Sequence, residues 1–370
     1  MSTADLDPGA YLLELETTQG PAGSFRIPVL VRPRAPPPIA VVLSTHTWDA
    51  YNGFGGVSNY DNRLFSAPVD LVVKLVKKVF GEPHFLEDHL PYARPNVNIS
   101  DEMAGATDPY APYTTRFLRN EWALIAFLER RGYAYGVYAD EDLEPGGPAW
   151  QSDVLVLAGH SEYWTGGMFH ALDRYLAEGG RVLAPASGKP MAEPVRLRAA
   201  GKEYPAEPFA SSLTARRLGI AFSPADMYSA APYRVEAPEH WVFAGTGLAA
   251  GDLFGRDSAY RAEPWIDFWT SYRNPTGGRG ASGVFMSKVH AAGGGVRILA
   301  RGQNAEGGGH MVYRDTPAGG WVFASGAEAF NGALGDDPVV QGIVANLLDE
   351  ATEGRRPGRR LAAPASHGDR

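Results

Sequence analysis

Short apolar runs alternate with mixed helical faces through the first half of the chain. Val154, Leu155, Val156, Leu157 and Ala158 follow Asp153 without a polar break, the pattern of a parallel strand buried on both faces. Ile39 to Leu43 reads the same way, and residues 133–138 and 181–184 supply two further strands. Between them, Phe117, Leu118, Trp122, Ile125 and Leu128 recur at three- and four-residue spacing. This predicts a helix capped by Thr114 or Thr115, running to Arg131 and stopped by Gly132. A second helix is predicted from a Thr165 cap through Glu178, with Met168, Phe169, Leu172, Tyr175 and Leu176 facing inward and Gly179-Gly180 ending it. Strand and helix alternating over short connections predict an α/β fold built on a doubly wound, mostly parallel sheet.

The flanks carry other patterns. Residues 10–18 and 24–32 alternate apolar and polar around Gly20-Pro21-Ala22-Gly23, which predicts an N-terminal β-hairpin. Residues 44–56 mix aromatics, amides and glycines without a period and read as a loop after the strand at 39–43. Residues 67–80 fit a basic amphipathic helix, whose lysines Lys74, Lys77 and Lys78 make a solvated face. Prolines and isolated aromatics at 81–113 predict a long ordered loop lying over the site. Beyond residue 190, strands with glycine turns are expected at 234–237, 283–289, 296–300, 311–314 and 321–325, then a helix at 338–350 capped by Asp336-Asp337. The expected organisation is one large α/β domain over 1–352, with an insertion at 62–113, a β-rich elaboration at 195–330 and a disordered tail at 353–370.

Composition narrows the function. The 370 residues can bury a large core, and a net charge of −8 gives no reason to expect nucleic acid or an anionic membrane as partner. Without cysteine there is no disulfide, thiolate nucleophile or cysteine–zinc site. No stretch approaches the roughly 20 apolar residues that cross a bilayer. The short acidic start, lacking an apolar segment, predicts a cytoplasmic protein.

Chemistry is expected where the strand at 153–158 ends, because ligands of open α/β sheets sit past the carboxyl ends of strands. Gly159 is followed there by His160, Ser161, Glu162, Tyr163 and Trp164. A serine nucleophile on such a turn needs Gly-x-Ser-x-Gly, and the second glycine is replaced by Tyr163, so Ser161 is expected to bond backbone instead. Tyr163 could bind a hard metal, donate a proton or simply pack. Glu162 suits either a general acid/base or a first-turn carboxylate facing the helix dipole, and His160 could ligate a metal or hold Tyr163. No His-Glu-x-x-His, phosphate loop or dinucleotide fingerprint is present, which removes zinc hydrolase, P-loop and Rossmann readings.

Three segments together resemble a known family. They are Thr45-x-Thr47-Trp48-x-x-Tyr51-Asn52-x-x-Gly55-Gly56, then Asn120-Glu121-Trp122 with the run from Phe127 to Tyr133, then Gly159 through Trp164. They are similar to the large-subunit catalytic region of N,N-dimethylformamidase, and Gly320 to Gly326 with Asn331-Gly332 fits the same pattern. The resemblance implies a glutamine-amidotransferase-like, flavodoxin-like fold without the nucleophilic cysteine. It also implies a mononuclear iron held by two tyrosines and a glutamate, and hydrolysis of a small-molecule amide by activated water. Tyr163 matches one tyrosine and Glu263 the glutamate. Where the family carries Ser-Gly-Asn-Thr-x-Tyr-Trp, this chain reads Ser187-Gly188-Lys189-Pro190-Met191-Ala192-Glu193, without the second phenol, and His46 stands where asparagine is usual. A complete iron shell would then need His46, His160, Glu193 or water.

Tyr163, Glu162, His160, His46 and Asn52 are therefore the candidate catalytic groups, and Trp48, Tyr51, Tyr60 and Trp164 the candidate walls of a small-molecule pocket. Metal-assisted amide hydrolysis, different chemistry on a rebuilt site, and a non-catalytic binding module all remain open at this level. A homo-oligomer or a small partner subunit is compatible with each.

Overall fold

In a computed structural model the described residues are 6–16, 18, 24–51, 118–188, 193–198, 201–203, 211–223, 229–258, 279–292 and 294–354. The basic helix expected at 67–80, the loop at 81–113 and the chain past 354 lie outside them. Strands β1 (Gly9–Glu16) and β2 (Ser24–Val31) pair as an antiparallel hairpin. Next come β3 (Ile39–Leu43), α1 (Thr45–Tyr51), α2 (Leu118–Arg131), β4 (Tyr135–Ala139) and β5 (Val154–Leu157). They are followed by β6 (Tyr163–Thr165), α3 (Gly166–Ala177), β7 (Arg181–Ala184), β8 (Glu193–Arg198), β9 (Gly201–Glu203) and α4 (Ser211–Leu218). The C-terminal part holds β10 (Ile220–Ser223), β11 (Ala230–Ala231), β12 (Tyr233–Val235), β13 (Leu253–Phe254), β14 (Ser282–Gly283) and β15 (Met286–Val289). Last are β16 (Arg297–Gly302), β17 (His310–Asp315), β18 (Trp321–Ala324) and α5 (Pro338–Glu353).

The α3 start is fixed as its sequence suggests, Thr165 Oγ1 accepting from Met168 N at 3.2 Å. Asp337 caps α5 more fully: Oδ1 accepts from Val339 N at 2.9 Å and Val340 N at 3.0 Å, and Oδ2 from Gly255 N at 2.7 Å. That helix ends three residues later than the apolar period indicated, on Gly354 in the left-handed region at φ 67°.

Nine strands form the main sheet in the order β13-β12-β16-β17-β18-β7-β5-β3-β4. From β18 to β4 the neighbours are parallel, and from β13 to β18 antiparallel. The sheet is thus mixed, where a mostly parallel one was expected. Loops 303–309 and 316–320 explain much of this, since a parallel crossover takes a dozen or more residues and turns this short return the chain antiparallel.

The parallel half is buried on both faces, as its uninterrupted apolar strands require. Ile39, Val41, Val154 and Val156 join the core beneath α2 and α5, with Leu124, Phe127, Leu128, Ile343, Val344 and Leu347. Ala40, Val42, Leu155 and Leu157 join the opposite core beneath α3, with Met168, Leu172 and Leu176. Each leucine, isoleucine or valine so buried contributes about 1.5–3 kcal/mol relative to exposure. No helix among the described residues is long and apolar enough to cross a membrane.

Candidate functional site

Register aligns the carboxyl ends of β3, β4, β5 and β7 along one edge. At the end of β3 the chain enters α1 directly, so residues 45–51 of the loop expected at 44–56 are helical, and 52–56 lie outside the described residues. Its first turn is held from outside: the His46 amide, one of the donors a helix start leaves unmet, gives its proton to Asp140 Oδ2 at 2.8 Å. Trp48 N bonds Ser44 O at 2.9 Å to close the turn. Such long-range partners leave no local period in the sequence.

At the end of β5, Gly159 lies against the carboxyl of Glu121, which α2 brings in from the side. A Cβ at Gly159 would stand 2.3 Å from Glu121 Oε1, so only glycine fits. Glu121 Oε1 accepts the Ser44 amide at 2.7 Å, tying the ends of β3 and β5 to one side chain. Complete burial pushes the Glu121 pKa up to about 8 from 4.5; the Ser44 amide and hydroxyl and the Trp48 indole oppose the rise, and the charge of Asp140 adds to it. At neutral pH this carboxyl therefore holds its proton.

Next to Gly159, His160 is wholly enclosed between two carboxylates. Its Nε2 lies 3.0 Å from Glu162 Oε2 and its Nδ1 3.6 Å from Glu328 Oε2, and all three side chains are buried. Phe285 stacks on the imidazole at 4.8 Å between centroids and 24° between planes. The residue before it, Val284, has φ +72°, a costly conformation for a β-branched residue, and its amide bonds Ser229 O at 3.0 Å. Phe285 O in turn accepts Glu328 N at 3.1 Å.

Glu328 opens a 3-10 turn (Glu328–Leu334) that follows β18. Two asparagines pin it: Asn120 Nδ2 donates to Glu328 O at 2.6 Å, and Asn331 Nδ2 to Ala158 O at 2.6 Å and to Asn120 O at 3.2 Å. The Oδ1 atoms of both asparagines and His46 Nε2 are buried and have no hydrogen-bond partner among the described residues. Unmet buried polar atoms gathered at one strand edge are the mark of a place where water or ligand atoms belong.

Tyr163 begins β6 and is buried; its carbonyl accepts from His46 Nδ1 at 3.2 Å, which puts the His46 ring proton on Nδ1. His46 Nε2 lies 3.6 Å from Glu141 Oε1. Trp164 and Trp48 are both buried. Trp164 is fully buried with Phe169, its indole donating to Ser161 Oγ at 2.8 Å, and Trp48 belongs to the core beneath α2 and α5. Ser161 thus bonds a side chain rather than backbone. Tyr51 ends α1, while Asn52, Tyr60, Glu263 and residues 189–192 lie outside the described residues.

The structure therefore brings His160 and Glu162 together with Glu328 and places Glu121, Asp140 and Asn331 at the same strand ends; Glu121 and Asn331 stood in the family segments, while Asp140 and Glu328 were singled out by neither those segments nor periodicity. The signal for Glu328 was a lone carboxylate among Ala327, Ala329 and Phe330, in a stretch too apolar to leave it at the surface.

Residues 1–343 match the family model described as N,N-dimethylformamidase beta subunit-like, C-terminal. The chain belongs to this family. No curated protein matches it. Among solved structures, a ThuA-like protein from Bacteroides uniformis aligns at 10% identity over 68% of this chain and 96% of its own, with a TM-score of 0.39. A GMP synthase component from Thermoplasma acidophilum aligns at 10% identity over 66% of this chain and 92% of its own, with a TM-score of 0.33. Both likenesses are too slight to argue from.

For a dimethylformamidase-like chain, the two-tyrosine, one-glutamate iron set can be tested against the residues present. Tyr163 is one phenol. The segment from Ser187 to Glu193 contains no tyrosine, and both ring nitrogens of His160 face carboxylates rather than an open ligand position. Among the described residues no group of three or more histidines, aspartates and glutamates is arranged to hold a metal. Glu263, the glutamate of that set, lies outside the described residues.

Proposed function

We propose that this chain hydrolyses the C–N bond of a small-molecule amide at the strand edge where β3, β5 and β7 end. The observation that supports this most directly is the buried Glu162–His160–Glu328 array. One imidazole facing two carboxylates can take a proton at one ring nitrogen and release one at the other. In the reaction, a water admitted between His160 Nδ1 and Glu328 gives up a proton to that pair, with Glu162 holding Nε2, as its oxygen attacks the carbonyl carbon. When the C–N bond breaks, the amine leaves with a proton returned from the array, and the acyl part leaves as a carboxylic acid. Phe285 over the ring and the enclosure of all three groups suit a substrate of few atoms. Family membership supports the reaction class, and the described β-subunit likeness supports a second, partner chain.

The test is amine release from a panel of small formamides and acetamides by the purified chain, alone and after chelation. Glu162→Gln and Glu328→Gln should each lower kcat about 100-fold or more with the melting temperature kept within a few degrees. Full activity in either variant refutes the array. Loss of activity on chelation, restored by iron, refutes hydrolysis without the family's metal.

A further inference from the structure

A cleft of about 650 Å³ opens at the opposite edge of the sheet. Its walls come from the C-terminal ends of α3 and α4, residues 294–295 and the turn before β18. Because β18 starts level with Arg181, the first residue of β7, this turn lies at the amino ends of the parallel strands, away from His160. Three guanidinium groups line the cleft, those of Arg216, Arg217 and Arg314, against two carboxylates, Asp173 and Asp315. One positive charge is in surplus.

The partners of these groups show where the surplus resides. Arg217 is matched: Nη2 pairs with Asp173 Oδ2 at 2.6 Å, Nη1 donates to Leu213 O at 2.9 Å, and the group stacks 4.7 Å above Phe169. Arg314 meets only carbonyl oxygens, Arg216 O at 3.1 Å and Arg217 O at 2.6 Å. These bonds cap the C-terminus of α4 and account for both terminal nitrogens. Among the described residues they leave the charge without a carboxylate, and the buried Nε–H, like that of Arg217, without an acceptor. Burial accordingly lowers the Arg314 pKa. Arg216, on the same rim, is exposed, and Asp315 is engaged by the Tyr313 hydroxyl at 2.9 Å. Leu176, Ala177, Pro317 and Ala318 make the remaining wall apolar.

We propose that this cleft binds a small monocarboxylate, its head drawn to the exposed Arg216 beside the half-buried Arg314 charge and its hydrocarbon body along the Leu176–Pro317 wall. A single negative charge matches the surplus, and the planar carboxylate fits the guanidinium fork. The apolar wall calls for a body of several carbons rather than a bare ion.

Butyrate is the probe, titrated calorimetrically at constant ionic strength against chloride, inorganic phosphate and n-butanol. Saturable butyrate binding is expected with Kd on the order of 1 mM, at least 5-fold tighter than phosphate or butanol. Arg216→Ala should weaken it at least 5-fold. Asp315→Asn, which removes the competing rim carboxylate and keeps an acceptor for Tyr313, should tighten it several-fold. Glu162→Gln should leave it unchanged, which separates this cleft from the proposed hydrolytic site. Absence of saturation at about 50 mM, phosphate binding as tightly as butyrate, or indifference to both Arg216→Ala and Asp315→Asn overturns the proposal.

Discussion

Replacing Glu121 by Gln gives a direct reading of the buried carboxyl that joins the ends of β3 and β5. In the folded chain its pKa stands at about 8, raised mainly by desolvation, against 4.5 for an ordinary glutamate. Below 4.5 both the folded and unfolded states hold this proton, and above 8 both have released it. In between, only the folded state keeps it, so stability attributable to Glu121 falls as pH rises. The window spans roughly three and a half pH units at about 1.4 kcal/mol each, a loss of about 5 kcal/mol from pH 4.5 to 8. Gln cannot titrate, yet its Oε1 can still accept the Ser44 amide. Urea unfolding of both proteins at pH 5, 6, 7 and 8 isolates the effect, because titrating groups not coupled to Glu121 cancel in the difference and Asp140, the coupled one, is the smaller contribution. Relative to wild type, Glu121→Gln should gain about 3–5 kcal/mol between pH 5 and pH 8. Parallel profiles, with a difference constant to about 0.5 kcal/mol, would show that Glu121 is ionised in the fold and refute the reasoning.

Two further substitutions probe the same framework. Gly159→Ala drives a methyl into the Glu121 carboxyl and should cost about 2–3 kcal/mol in chemical unfolding. In Glu121→Ala the obstacle is gone, so the double-mutant cycle should recover at least about 1 kcal/mol of coupling, and additive losses would count against the contact. Asp337→Ala removes the acceptor of two α5 amides and of Gly255 N, and should lower stability by about 1–2 kcal/mol. An unchanged unfolding midpoint would mean that water replaces the cap.

What could be read beforehand follows the range of the forces involved. Periodicity and capping are local, so the helices around residues 118–131 and 166–177 and the buried strands at 39–43 and 154–157 were visible in the sequence, as was the family. The direction of β16 and β17 was not, because it depends on neighbours in the sheet rather than on the pattern within each strand. Helix α1 was hidden for a similar reason: the acceptor for the His46 amide sits on Asp140, and no nearby side chain announces it. The site was legible in halves. His160, Glu162 and Tyr163 stand together in the chain and could be named, whereas Glu121 and Glu328 reach Gly159 and His160 only through tertiary packing. Trp164 could be named as a pocket wall because it stands beside polar groups in the chain, whereas its packing against Phe169 depends on tertiary structure.

The place of β18 bears on how the chain is made. β7 has two neighbours, β5 and β18, and the second is synthesised about 140 residues after it. Until then a nascent chain can pair β3, β4 and β5 with one side of β7, while the other side offers bare backbone amides and carbonyls flanked by Val182, Leu183 and Ala184. An unpaired apolar edge is the surface along which chains add to one another. Slow synthesis or chaperone cover through residue 324 should therefore govern recovery of native protein, and fragments ending before β18 should aggregate.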